Sequence, residues 1–203
     1  MKTNLLFSTW PFLKCEKVTL SQIAESDLES LWQILSDDDN FQYNPDSAST
    51  SIAEAATKIK QIHFNFREKK SITLGIFSND SLNQLIGLLE ITDINLQINA
   101  LSLSFMLNRE FSGKGYATAA LNCITDYLFN YIEVNRIQAF IMPNNLRSQR
   151  LLERCGFVKE GTIREGFLWP DKGILDLDLY AMLPSDFRKH QKNLEDYKSY
   201  YTS

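Results

Sequence analysis

The sequence predicts one α/β domain built on a mixed sheet, and three observations carry that expectation. Two helical patterns, at 27–35 and 51–68, separate a first short strand from a run of three strands. A glycine-marked turn then joins an alternating strand to a long apolar helix. From there strand and helix alternate up to two closing strands, giving the order β-α-α-β-β-β-α-β-α-β-β. With 203 residues, of which 44% are hydrophobic and 12% aromatic, the chain can bury a core as a single domain expected to span 1–203.

Asn4 to Leu13 contain Leu5, Leu6, Phe7, Trp10 and Phe12, but Pro11 and polar residues interrupt them. The run is too short for a secretory h-region and reads as an N-terminal arm, 1–15, packed on the domain. Glu16–Leu20 is a first strand. Ser26 or Asp27 caps a helix through Leu35, with Leu28, Leu31, Trp32 and Leu35 at helical spacing. Ser36–Ser49 is a loop rich in Asp, Asn and Ser. Ser51 caps a second helix, with Glu54 at capping-box spacing.

Ser71–Phe77 and Gln84–Thr92 read as a hairpin around Asn79-Asp80-Ser81-Leu82-Asn83. The turn Asp93–Asn99 leads to the alternating strand Ala100–Leu107. Ala117, Leu121, Ile124, Leu128 and Ile132 then mark a long helix. Arg136–Met142 is a buried-looking strand, and Ser148–Arg154 a short helix stopped by Gly156. Phe157–Arg164 and Ile174–Leu183 close the sheet around the loop Trp169–Gly173. Beyond Pro184, Phe187, His190, Leu194, Tyr197 and Tyr201 form a helical stripe over 185–201, to dock on the domain itself or on a second copy.

The net charge of −4 and the pI near 5.3 exclude a general nucleic-acid footprint. No run reaches the length of a membrane span, so no membrane partner is expected. Cys15, Cys123 and Cys155 are far apart, and with His63 and His190 as the two histidines no metal is expected. Three reduced thiols in a cytoplasmic protein are the expectation, Cys123 and Cys155 serving as core residues.

The chemistry concentrates in Phe111-Ser-Gly-Lys-Gly-Tyr-Ala-Thr-Ala-Ala-Leu121. A strand, a glycine turn and a helix start aim several backbone N–H groups at one spot, where the helix dipole adds positive character; the occupant that suits this is a phosphate. The stretch has neither Walker spacing nor the third glycine of a dinucleotide fingerprint.

Three motifs in sequence resemble the GNAT superfamily of acetyl-CoA-dependent N-acetyltransferases, and within it the branch that acetylates ribosomal-protein N-termini (alanine or serine). They are Ser112-Gly-Lys-Gly-Tyr-Ala117, then Asn145-Leu-Arg-Ser148 with Leu152-Glu-Arg-Cys-Gly-Phe157, and then Arg164-Glu-Gly with Asp176-Leu-Asp-Leu-Tyr180. The resemblance implies an α/β fold: a mixed, mostly antiparallel sheet of about seven strands flanked by helices and splayed between the fourth and fifth. It implies acetyl-CoA as cosubstrate. Its pyrophosphate would lie on Ser112, Gly113, Lys114, Gly115, Tyr116 and Ala117, and its pantetheine arm on Phe105, Met106 and Leu107. Asn145 and Ser148 would sit near the thioester. Ser112 stands where the family usually has Gln or Arg, and Leu152 where many members have a Tyr that protonates the leaving thiolate.

Ser148 is the candidate substitute for that Tyr, or else the N-cap of its helix. Glu90 is the candidate base; strand alternation leaves it facing either the cleft or outward. Asp176 either orients the substrate or pairs with Arg164, and Tyr180 either donates to the substrate or packs. Ser36–Ser49, with Asp37, Asp38 and Asp39, and Trp169–Gly173 flank the amine side, where the acidic cluster either attracts a cation or is an ordinary solvated loop. The expected function is direct acetyl transfer to a primary amine, of a protein N-terminus or a small molecule, by a monomer or homodimer. The alternative is a CoA-binding module without catalysis.

Overall fold

The computed structural model describes residues 1–80, 83–170 and 172–202, with Thr3 and 197–202 described by backbone alone. Ser81 and Leu82 of the expected hairpin turn, Asp171 of the expected Trp169–Gly173 loop, and the side chains of Tyr197 and Tyr201 lie outside the described residues.

Among the described residues, strands β1 (Leu13–Lys14), β2 (Val18–Ser21), β3 (Ile72–Ser78), β4 (Leu85–Asn95), β5 (Ala100–Leu107), β6 (Arg136–Ile141), β7 (Val158–Trp169) and β8 (Gly173–Met182) form one sheet. Their order is β1-β2-β3-β4-β5-β6-β8-β7. All neighbours are antiparallel except β5 and β6, which run parallel. The eighth strand is β1, a two-residue piece within the segment read from sequence as an arm. The rest of that arm carries the short helix α1 (Thr3–Leu6), fully buries Leu6, and stacks Trp10 on Phe66 with ring centroids 3.9 Å apart.

Helices cover both faces. On one side lie α2 (Leu28–Leu35) and α3 (Ile52–Arg67), whose Leu31, Ile34, Ile59 and Ile62 pack with Phe77, Leu85 and Leu88. On the other, α4 (Tyr116–Asp126) buries Leu121 and Ile124 against Val18, Leu74, Ile86 and Leu101. Each such fully buried aliphatic side chain contributes about 1.5–3 kcal/mol. One π-helical turn, Tyr127–Tyr131, extends α4. α5 (Leu146–Arg154) follows β6. α6 (Pro184–Thr202) docks on its own chain, Phe187 stacking on Phe129 at 4.9 Å and His190 meeting Asn122 at 3.3 Å.

Several local expectations are corrected. Asp27 stands at the N-cap position of α2 as expected, but its side chain makes no cap bond; the carboxylate turns back to the Ala24 N–H at 2.8 Å and closes a 3₁₀ turn before the helix. At α3 the Ser51 side chain makes no cap bond, and Glu54 instead accepts from the backbone N–H and hydroxyl of Thr50, each at 2.8 Å. The expectation of three reduced thiols is overturned: Cys15 and Cys123 form a disulfide that ties the β1–β2 turn to α4. Their separation of 108 residues gave no hint of pairing, because the fold alone brings their Cα atoms to 6.2 Å. Cys155 is free and buried, as expected of a core thiol, and burial pushes it up to about 12, with Arg154 opposing weakly.

β5 and β6 pair only at Ala100–Arg136, Leu101–Ile137 and Ser102–Gln138. Beyond Ser102 each strand keeps its outer neighbour, β5 with β4 as far as Leu107 and β6 with β8 as far as Ile141, so the two diverge. The sheet opens there into a V, between the strands read from sequence as fourth and fifth.

Candidate active site

The V is the mouth of a cleft of about 950 Å³. Phe105, Met106 and Leu107 of β5 line one wall, and Phe140, Ile141 and Met142 the other. In the diverging part of β5, backbone groups that would have met β6 face the gap, a docking edge for an extended, amide-bearing ligand. Leu107 and Ala117 mark the end where the glycine turn begins.

That turn is built by backbone conformation. Gly113 (φ 75°) and Gly115 (φ 87°) are both left-handed, a state that costs an L-residue about 1–2 kcal/mol, and Gly115 is the N-cap of α4. A Cβ added at Gly113 would meet no atom beyond its chain neighbours within 4 Å, so its free face is open to a ligand. Tyr116 takes a different place from the rest of its motif. Its side chain is buried, donates from its hydroxyl to the Asp80 carboxylate at 3.1 Å and approaches the Ser78 hydroxyl at 3.4 Å. It contributes backbone to the turn and a brace behind it. The Lys114 ammonium lies over the Phe111 ring at 5.4 Å, and Ser112 is half-buried.

At the opposite end, the cap of α5 removes one of the two readings of Ser148. Asn145 is the N-cap, its Oδ1 accepting from the Ser148 N–H at 3.1 Å. Ser148 contributes its backbone N–H rather than its hydroxyl to the cap, and the residue lines the cleft. Leu152 is 1% exposed, inside the main core rather than in the cleft.

The helix is held in register from below. Gln149 donates to the Pro143 carbonyl at 2.8 Å and to the Asp178 carboxylate at 3.2 Å. Asp178, 2% exposed, also accepts from Lys159 at 2.7 Å and Thr162 at 2.6 Å. Burial pushes this carboxyl up, but the bonds from Lys159 and Thr162 outweigh it and hold the group below its ordinary range. A depressed carboxyl stabilises the fold above its unfolded value, 3.8, and loses that contribution as pH falls through the folded one. Lys159→Met is therefore expected to cost about 2 kcal/mol at pH 7, with the deficit shrinking below pH 3.8, as read by urea unfolding across pH. A deficit that does not vary with pH would contradict this account.

Glu90 faces the cleft. It sits on β4 opposite Thr73 of β3 and Ser104 of β5, and its carboxylate accepts from the Thr73 hydroxyl at 3.3 Å. All three line the cavity, making a polar strip beside Leu88. Sequence reasoning missed Thr73 and Ser104, since cross-strand register alone makes them Glu90's neighbours.

Residues 36–48 form a strap over the mouth, closed at its base by the Ser49 N–H on the Leu35 carbonyl at 2.8 Å. Three tethers reach different walls. Asp39 pairs with Arg109, the Tyr43 hydroxyl donates to the Asn144 carbonyl at 3.4 Å, and Lys172 donates to the Gln42 carbonyl at 3.3 Å. Of the acidic cluster, Asp37 caps its own turn and Asp39 lines the cavity already paired. Asp46 and Asp93, which the sequence did not flag, also line the cavity, with Lys58 and Arg147 as the lining cations. Asp176 is not paired with Arg164; it accepts from the Glu165 backbone N–H at 2.7 Å. Tyr180 packs at 1% exposure and donates to Glu153 at 3.3 Å.

Among the described residues no group of three or more His, Cys, Asp or Glu side chains could hold a metal ion, and no helix is long and apolar enough to cross a membrane.

A sheet split beside a strand–glycine turn–helix cradle, with a polar strip on the cleft floor, is the architecture of an acyl-CoA-type acetyltransferase. The Acetyltransferase (GNAT) domain matches residues 17–158. The uncharacterized N-acetyltransferase YoaA of Bacillus subtilis is 25% identical over 86% of this chain and 97% of its own length. The [ribosomal protein uS5]-alanine N-acetyltransferase of Escherichia coli is 29% identical over 50% of this chain and 53% of that protein. The structure of spermidine N-acetyltransferase from Vibrio cholerae in complex with CoA and spermine superposes with a TM-score of 0.71 at 22% identity, covering 84% of this chain and 98% of that one. The chain belongs to the GNAT family of N-acetyltransferases.

Proposed function

We propose that the chain, acting as one domain over 1–203, moves the acetyl group of acetyl-CoA directly to a primary amine, of a protein N-terminus as in the ribosomal-protein branch or of a small molecule. The observation that carries this is the V between β5 and β6, lined by Leu107 and Ala117 on either side of the glycine turn at one end and by Glu90 and Ser148 further in. The pyrophosphate rests on backbone N–H groups of Ser112 to Ala117, and the pantetheine arm extends along Phe105, Met106 and Leu107. Asn145 fixes the start of α5, and with it the Ser148 hydroxyl at the thioester end.

The amine arrives protonated, drawn by Glu90, Asp46 and Asp93. Glu90 takes one ammonium proton, directly or through water, and the freed nitrogen attacks the thioester carbonyl carbon. As the C–S bond breaks, Ser148 donates a proton to the sulfur and recovers one from the nitrogen, leaving an amide and a free thiol. Backbone N–H groups at the end of β5 stabilise the developing oxyanion, the larger part of the acceleration coming from such positioning. The uS5-alanine acetyltransferase and the spermidine acetyltransferase, named for amine acceptors, support the choice of nucleophile.

A thiol-release assay with acetyl-CoA and a panel of alanine- and serine-initiated peptides, spermidine and an aminoglycoside tests the reading. Release with one or more acceptors is expected. Acetyl-CoA binding without release on any of them would overturn direct transfer and favour a CoA-binding module.

A further inference from the structure

Lys17 stands beside the glycine turn without an electrostatic reason within the protein. Its ammonium is 3.4 Å from the Lys114 carbonyl and 3.7 Å from where a Cβ on Gly115 would be. The first distance is long for an N–H···O bond, and an ammonium carries three donors, so most of its hydrogen-bonding capacity is unspent. Among the described residues Lys17 has no acidic partner. The nearby Asp80 carboxylate accepts from Tyr116, and Lys114 is turned onto Phe111. A cation at a helix N-terminus is repelled by the helix dipole, so this placement is unfavourable until an anion sits between the ammonium and the N–H groups. The missing side chain at Gly115 leaves that notch clear.

The lysine is held there by design of the backbone around it. Asn79 donates from its side chain to the carbonyls of Cys15 and Glu16, at 2.6 and 3.2 Å, and from its backbone N–H to the Lys17 carbonyl at 3.0 Å. The same end of β3 anchors the start of α4 through Ser78, Asp80 and Tyr116. Two residues before Lys17, Cys15 is bonded to Cys123 on α4, the helix whose first turn forms the cradle. The backbone of Lys17 and the N–H groups of the turn are thus fixed to each other on both sides.

We propose that Lys17 is a phosphate ligand of the cosubstrate site, and that the Cys15–Cys123 disulfide holds it in place so that cosubstrate affinity falls on reduction. This rests on the placement of CoA at the glycine turn. The shared chemistry is a phosphate, of the pyrophosphate or of the 3′ position. Reduction here is ordinary thiol–disulfide exchange: an external dithiol gives up two electrons and two protons, leaving Cys15 and Cys123 as thiols.

Isothermal titration of the full chain with CoA and with 3′-dephospho-CoA tests it. Lys17→Met is expected to weaken CoA about tenfold with an unchanged melting temperature, and Lys17→Arg to stay within about threefold of wild type. A loss shared by both ligands assigns the pyrophosphate; a loss confined to CoA assigns the 3′-phosphate. Full reduction, verified by three alkylated cysteines under denaturing conditions against one before reduction, is expected to weaken CoA about threefold in wild type and hardly at all in Lys17→Met. Wild-type affinity in Lys17→Met, alongside lost binding in Gly113→Trp, would overturn the role of Lys17 and leave the cradle standing. Wild-type affinity in both variants would overturn the cradle as well. Three alkylated cysteines before reduction, or an affinity indifferent to reduction, would overturn the part assigned to the disulfide.

Discussion

Gly113→Trp is expected to raise the dissociation constant for CoA at least a hundredfold, whereas Gly113→Ala raises it only a few-fold. Both variants place an L-residue at φ 75° and lose about 1–2 kcal/mol of stability to the left-handed conformation. Their melting temperatures should therefore drop together. What separates them is bulk: a Cβ at Gly113 meets no atom beyond its chain neighbours within 4 Å, and an indole there fills the space assigned to the pyrophosphate. Gly113 is the better probe than Gly115, because a side chain at 115 would also come into contact with the Lys17 ammonium, 3.7 Å from a Cβ there. Equal CoA affinity in the two variants, measured by titration calorimetry, would remove the ligand from this turn.

Glu90→Gln is expected to lower kcat by about 10²–10⁴-fold, the range for a lost general base, with little change in the KM for acetyl-CoA. The amide preserves shape and can still meet the Thr73 hydroxyl, so the melting temperature should hold. Ser148→Ala is expected to cost less in rate and under about 0.5 kcal/mol in stability, since the hydroxyl caps nothing, while Asn145→Ala costs about 1 kcal/mol through the cap. The split between kcat and stability distinguishes the roles. A Glu90→Gln enzyme with wild-type kcat on every acceptor would leave the carboxylate as a structural partner of Thr73 and nothing more.

Much of the fold was legible because its signals are local. The alternation of Leu101-Ser-Leu-Ser-Phe needs no partner to be read as a strand, and Gly113 and Gly115 declare a turn wherever they occur. Seven of the strands followed from such patterns. β1 did not, because two residues carry no periodicity and exist as a strand only by pairing with β2. The capping bonds were not legible for a related reason: Asp27 and Ser51 stand at the N-cap positions read from sequence, yet neither side chain makes the bond. Ser148, Asn145, Ser51 and Thr50 are all chemically able to cap, and which one does so depends on where the backbone enters the helix.

The site divides in the same way. The glycine turn proposed as the phosphate cradle is one continuous stretch, so sequence located the turn. The cleft floor is not. Thr73, Glu90 and Ser104 are neighbours only through the registers of β3, β4 and β5, and a shift of one residue would have turned Glu90 to the other face. The strap tethers join residues as far apart as 42 and 172, and the disulfide joins 15 to 123. By itself the sequence determined the order of elements, the glycine turn and the membership that its motifs announce, since these depend on short-range periodicity and backbone freedom. Only the tertiary structure decided that Glu90 faces the cleft, which residue caps α5 and so frees Ser148, and that Lys17 stands beside the glycine turn. Each of those depends on contacts between segments distant in the chain, where packing and register choose among side chains that look equivalent in one dimension.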